Sequence, residues 1–112
     1  MALKRYFTEM GMGVDVHGGD YTKAAKRAVS DAIRHSSINL FPHINHTRDD
    51  MRLTVKIGAQ KPEKVDTQAV AAAFPYGIAT IEPELGGLDV LAENQKDLMV
   101  VVNCVVLVCF DE

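Results

Sequence analysis

The chain has no cluster of positive charge, no apolar run of membrane length and no cysteine framework. Its 112 residues carry 12 Lys and Arg against 15 Asp and Glu, a net charge of −3, with the two signs interspersed. A nucleic-acid partner needs a clustered cationic face, so none is expected. The longest apolar stretch, Leu98 to Phe110, is 13 residues with Asn103 inside it. A membrane-spanning helix needs about 20 apolar residues, so no membrane span is expected. Only two cysteines occur, Cys104 and Cys109. Five apart on a strand, they face opposite sides and cannot bridge each other. Two free thiols suit a reducing compartment, and no leader of the signal-peptide pattern is visible. The expected location is therefore the cytoplasm. Repeats, low-complexity tracts and linkers are also missing, so residues 1–112 read as one domain.

What is present is a set of periodic segments. Leu3 to Val14 reads as a first strand. From Tyr21 to about Ser36, Ala24, Ala25, Ala28, Val29, Ala32 and Ile33 recur at helical spacing, with Asp20 as N-cap. Their small side chains suggest a helix packed closely on a sheet. Ser36 to Asp50 reads as irregular. Met51 to Ile57 alternates apolar and polar residues, the pattern of a strand. Gly58 to Val65 is rich in turn residues. Asp66 then caps a short helix running through Val70 and Phe74 to Pro75. Ile78 to Glu82 is a short strand, Gly86-Gly87 a turn, and Leu98 to Phe110 the last strand. The expected fold is α+β: a two-layer sandwich in the order strand–helix–strand–helix–strand–strand, with a four-stranded mixed sheet and two helices on one face.

Two helices cover one face of such a sheet. The last strand is nevertheless apolar on both faces, which normally marks burial on both sides. Left bare, the second face would be a large apolar patch. Another copy of the chain is the expected cover, giving a homo-oligomer, most simply a trimer. The alternative is that the loop from Ser37 to Asp50 folds across it.

The chemistry concentrates in one turn, Gly11 to Lys23, where a strand passes into a helix. Gly11, Gly13, Gly18 and Gly19 allow close backbone approach, and a helix N-terminus attracts anions. Lys23 stands where a small anionic or heterocyclic ligand would explain its placement; the plainer reading is a solvated basic face. The spacing fails the dinucleotide fingerprint, and no cofactor is implied. Asp15 and His17, two apart in extended chain, project to one side. They read as a carboxylate and general base, with Glu9 as a further catalytic carboxylate. If Glu9 is buried, Lys23 or Lys56 would serve as its partner. The same residues with His43 and His46 would form a metal set, but the spacing of these loop histidines does not require one. Tyr76, after Pro75, is a candidate aromatic wall of a ligand cleft or a core tyrosine at a turn.

The segments Tyr6-Phe7-x-Glu9-Met10-Gly11-Met12-Gly13-Val14-Asp15-x-His17-Gly18-x-Asp20-x-Thr22-Lys23-Ala24-Ala25, Pro62-Glu63-Lys64-Val65-Asp66 and Ala73-Phe74-Pro75-Tyr76-Gly77 together resemble a family of small uncharacterised bacterial proteins, a Lin-type conserved hypothetical family. The family brings no established activity. Its element order is similar to the trimeric chorismate mutase-like fold, shared with small deaminase-type trimers and ring-opening amidohydrolases such as cyanuric acid hydrolase. That likeness implies ligand clefts between subunits. Neither the chorismate mutase arginines nor the amidohydrolase serine–lysine motif is present, so neither reaction is carried over. Two functions follow as expectations. One is a small-molecule enzyme or binder working at Asp15, His17 and Lys23. The other is a non-enzymatic assembly module whose glycine turn serves only packing.

Overall fold

The computed structural model describes residues 2–34 and 40–112. Five strands and two helices follow one another as β1 (Leu3–Asp15), α1 (Tyr21–Arg34), β2 (Arg52–Ala59), α2 (Thr67–Ala71), β3 (Ile78–Leu85), β4 (Leu88–Leu91) and β5 (Leu98–Asp111). The sheet runs β1-β5-β2-β3, with β4 also paired to β5. β5 is antiparallel to β1, β2 and β4, while β2 and β3 are parallel. This is the expected α+β two-layer sandwich with a mixed sheet.

The strand count differs from expectation. The segment after Gly86-Gly87 forms β4, which pairs Leu88 to Val101 and Leu91 to Leu98. It continues the sheet beside β5 beyond the end of β2, whose pairing with β5 stops at Gly58 and Asn103. β3 extends to Leu85, and Gly58 and Ala59 belong to β2 rather than to a turn. α2 is regular only to Ala71; single turns carry the chain on to Phe74. Ser36, the expected end of α1, lies outside the described residues. Pro83 sits inside β3, where an edge strand tolerates the missing N–H.

Both helices start as the sequence indicates. Asp20 Oδ1 accepts from the Lys23 N–H at 3.0 Å, and Asp66 Oδ1 accepts from the Ala69 N–H at 3.1 Å. Thr22 Oγ1 accepts from the Asp66 N–H at 2.9 Å, tying the two helix starts together. α1 lies directly on β1. A Cβ on Gly11 would stand 2.4 Å from the Ala28 carbonyl oxygen, and one on Gly13 2.2 Å from that of Ala24. Ala24, Ala25, Ala28, Val29 and Ala32 are buried against this surface. The glycines of β1 and the alanines of α1 are thus one feature: only missing side chains let helix and strand come so close.

The two faces of the sheet differ sharply. The face under the helices carries Val55, Ile57, Val100, Val102, Cys104, Val106 and Val108, all buried. Register puts Met10, Met12, Val101, Val105, Leu107, Leu88 and Val90 on the other face. There Met10 is 67% exposed, Met12 54% and Leu88 62%. The described part of the loop does not cover this face. Phe41 packs edge-on to Phe110 and His46 stacks on it at 4.5 Å, on the helix side of the sheet. Residues 37–39 of that loop lie outside the described residues.

Candidate functional site

β1 carries four of the candidate residues, Glu9, Gly11, Gly13 and Asp15, and it separates the two carboxylates. Residues on one strand rise by about 3.3 Å each. Glu9 and Asp15, six residues apart, therefore stand roughly 20 Å from each other. The first location is the glycine-rich turn after β1; the second is a cleft near its middle.

At the turn, the Asp15 side chain is 8% exposed and both its carboxylate oxygens have partners. Its Oδ2 accepts from the Asp20 N–H at 2.9 Å. Its Oδ1 lies 3.6 Å from the Arg27 guanidinium and 4.0 Å from the Lys23 ammonium. His17 does not join it. The strand ends at Asp15 and the chain bends, so the alternation that would align the two side chains stops there. The His17 ring is 81% exposed and its Nδ1 faces Asp97 at 3.5 Å. The Asn94 amide, with His17 second, holds the Asp97 carboxyl below the usual range. Lys23 is largely exposed, and Asp20 already occupies an N–H of the helix end.

His43 and His46 belong to the far end of β1. His46 Nε2 lies 2.8 Å from Glu112, which also accepts from the Tyr6 hydroxyl. These contacts, Tyr6 first, hold the Glu112 carboxyl below its ordinary value. Tyr6 and Asp15 are nine strand residues apart, about 30 Å. The metal set of Asp15, His17, His43 and His46 therefore does not assemble. Among the described residues no group of three or more His, Cys, Asp and Glu is placed to hold a metal.

The second location is a cavity of about 420 Å³ on the helix side of the sheet. Val106, Val108 and Leu53 form its floor, Ile33 of α1 and Phe74 its walls. Glu9 and Tyr76, two of the sequence candidates, both line it. Glu9 is half-buried; Lys23 lies by Asp15 and Lys56 donates to Glu82, so neither expected lysine is its partner. The cavity also holds Arg48, a residue that sequence reasoning passed over. Its guanidinium carbon stands 5.7 Å from the Phe41 ring centre and 5.6 Å from that of Tyr76. Among the described residues no carboxylate comes within ion-pair distance of it. A 3-10 turn, Arg48–Asp50, positions it, closed by a capping box between Thr47 and Asp50. The signal was faint: a lone arginine in a segment with no periodicity.

Two further buried groups complete the chemistry. The Tyr21 hydroxyl donates to Asp89, and burial pushes its pKa up to about 12. The other oxygen of Asp89 is buried without a partner among the described residues. Cys104 donates to the Ala28 carbonyl, and burial pushes its thiol up to about 11, far from a nucleophile's range. Cys104 and Cys109 are both free and buried. No described helix is long and apolar enough to cross a membrane.

Comparison with known proteins agrees with this picture of a recognisable fold and an open function. No curated protein matches the chain. A crystal structure of an FtsZ-like protein of unknown function from Nostoc punctiforme is similar, with 34% identity and a TM-score of 0.86, over 100% of this chain and 99% of that one. Residues 5–108 match the family described as Conserved hypothetical protein (Lin0512_fam), and the chain belongs to that family.

Proposed function

We propose that this protein is a homo-oligomeric small-molecule binder. Its ligand has an apolar body and an anionic group, and its site is the cleft between Arg48, Tyr76 and Glu9. The observation that carries this reading is Arg48, a guanidinium set against two aromatic rings at an apolar cavity. An arginine with no carboxylate at ion-pair distance among the described residues is suited to bidentate capture of a carboxylate or phosphate. The cavity volume falls within the range of small-molecule sites. The lining described above comes from one chain, and a neighbouring subunit would complete the cleft on its open side.

The glycine-rich turn is outside this site in our reading. Gly11 and Gly13 admit α1, and the charge of Asp15 is met by Arg27 and Lys23. Gly18, Gly19 and His17 then shape a turn rather than a catalytic centre. The bare apolar face calls for a second copy, and a trimer is the simplest closed assembly consistent with the fold resemblance. The two free thiols suit the cytoplasm.

The test is a titration of the protein with benzoate, phenylacetate and hexanoate at millimolar concentrations, followed by amide chemical shifts. Shifts confined to the surroundings of Phe41, Met51 and Tyr76 are expected, and Arg48→Ala should weaken them at least tenfold while thermal stability is kept. Uniform silence across the panel, or equal binding by Arg48→Ala, would refute the assignment.

A further inference from the structure

The cleft of Arg48 and Tyr76 has two ends of opposite charge. Val106, Val108 and Phe110 alternate along β5, so all three point to the helix side of the sheet. Glu9 is the register partner of Val106 on the neighbouring strand β1 and lines the cavity beside it. Arg48 belongs to the other end. The Phe41 and Phe110 ring centres are 6.3 Å apart, and the Arg48 guanidinium lies over the Phe41 ring. Val106 and Phe110 are four strand residues apart, about 13 Å. A carboxylate thus marks one end of an apolar floor and a guanidinium the other. Among the described residues these are the only charged side chains that line the cavity.

The Glu9 carboxylate restricts what can lie on that floor. Glu9 is half-buried and already has a partner within the chain. An ionised carboxylate offers about four acceptor sites, so one partner leaves others for a ligand. A ligand ending there in a methyl group would strip water from those sites and return no hydrogen bond. A second anionic end would meet like charge. An ammonium would replace the lost water with a charge-assisted hydrogen bond.

We propose that the ligand of this cleft is two-ended: an anionic group held by Arg48, an apolar middle lying on Val106, Val108 and Leu53, and an ammonium held by Glu9. The chemical class is an amino acid whose amine stands several carbons away from its acid group. The proposal rests on the Arg48 reading above and adds a requirement at the opposite end of the same floor. An α-amino acid does not meet it, because its two charges sit side by side and cannot reach both ends. Charge complementarity selects the orientation as well: turned end for end, the ligand would set its anion against Glu9 and its ammonium against Arg48, with repulsion at both.

The test compares 6-aminohexanoate with hexanoate, and 8-aminooctanoate with octanoate, by amide chemical shifts on the wild type. In at least one pair the amino acid should bind tighter than its parent acid by a factor of about five or more. Glu9→Gln keeps the side-chain size and removes the charge. It should erase that difference and leave hexanoate and octanoate bound as before. A melting temperature close to wild type certifies the fold of the variant, and the wild-type comparison stands without it. Parent acids that bind, with neither amino acid binding tighter, overturn the two-ended ligand and leave the Arg48 reading in place. A preference that survives Glu9→Gln in a folded protein overturns the assignment to Glu9. Silence from all four compounds overturns the Arg48 reading and this one with it.

Discussion

Replacing Gly13 by alanine is a one-methyl test of how α1 and β1 meet. The new Cβ would stand 2.2 Å from the Ala24 carbonyl oxygen, 2.4 Å from the Ala28 nitrogen and 2.7 Å from Arg27 Cβ, against 3.4 Å for ordinary contact. Two of these obstacles are backbone atoms of a helix and cannot rotate away. The helix must lift by about 1 Å, loosening the dispersion contacts of Ala24, Ala25 and Ala28 with the sheet. Overpacking of a core costs ~1–3 kcal/mol, and backbone obstacles put this site at the upper end. Alanine returns about 0.4–1 kcal/mol by restricting the unfolded chain. The net loss is therefore about 2 kcal/mol, which lowers the melting temperature by roughly 10 °C. Gly18→Ala is the control. Its Cβ would meet only the Asp15 carboxylate, at 3.3 Å, and should cost under about 1 kcal/mol. Denaturant unfolding at one fixed protein concentration reads both. A Gly13→Ala protein within about 0.5 kcal/mol of wild type would refute the packing account and return the glycines to a ligand-binding role.

Other perturbations follow from single contacts. Tyr21→Phe removes the donor to Asp89 in a buried setting and should cost about 1–3 kcal/mol in the same assay; an unchanged midpoint would show that the contact carries no weight. Because the folded Tyr21 pKa is raised from 10 to about 12, its contribution is complete below pH 10 and is lost as pH rises through 12. A stability profile flat across that window in wild type, or identical in wild type and Tyr21→Phe, would contradict it. His17→Gln should leave stability within about 0.5 kcal/mol of wild type, because the exposed ring has only Asp97 beside it and Asn94 still binds that carboxylate; a loss above about 1 kcal/mol would give His17 a structural role.

Where periodicity was long, the sequence was readable. β2 and α1 repeat their apolar pattern often enough to mark both element and face, the runs of β1 and β5 mark the element alone, and Asp20 and Asp66 announce their helices by the chemistry of a cap. The alanine ladder of α1 even indicated close packing on the sheet. β4 escaped because four residues, Leu88 to Leu91, carry too short a pattern; they are a strand only by pairing with β5. The Asp15–His17 pair was misplaced for a similar reason: strand alternation was extended two residues past the end of the strand. The cleft was harder still. Glu9, Arg48, Tyr76 and Val106 are brought together by topology alone, and Arg48 sits in a segment whose conformation comes from a local capping box. Tyr21 and Asp89, 68 positions apart, illustrate the same limit. Periodicity reports burial and cannot report which distant side chains meet.

The central claim is that a bare apolar sheet face makes this chain an oligomer. Light scattering coupled to size-exclusion chromatography, at micromolar protein and physiological salt, measures it most directly. The account predicts a mass at least twice 12.3 kDa, and three times it for the trimer. A single species of 12.3 kDa would contradict it.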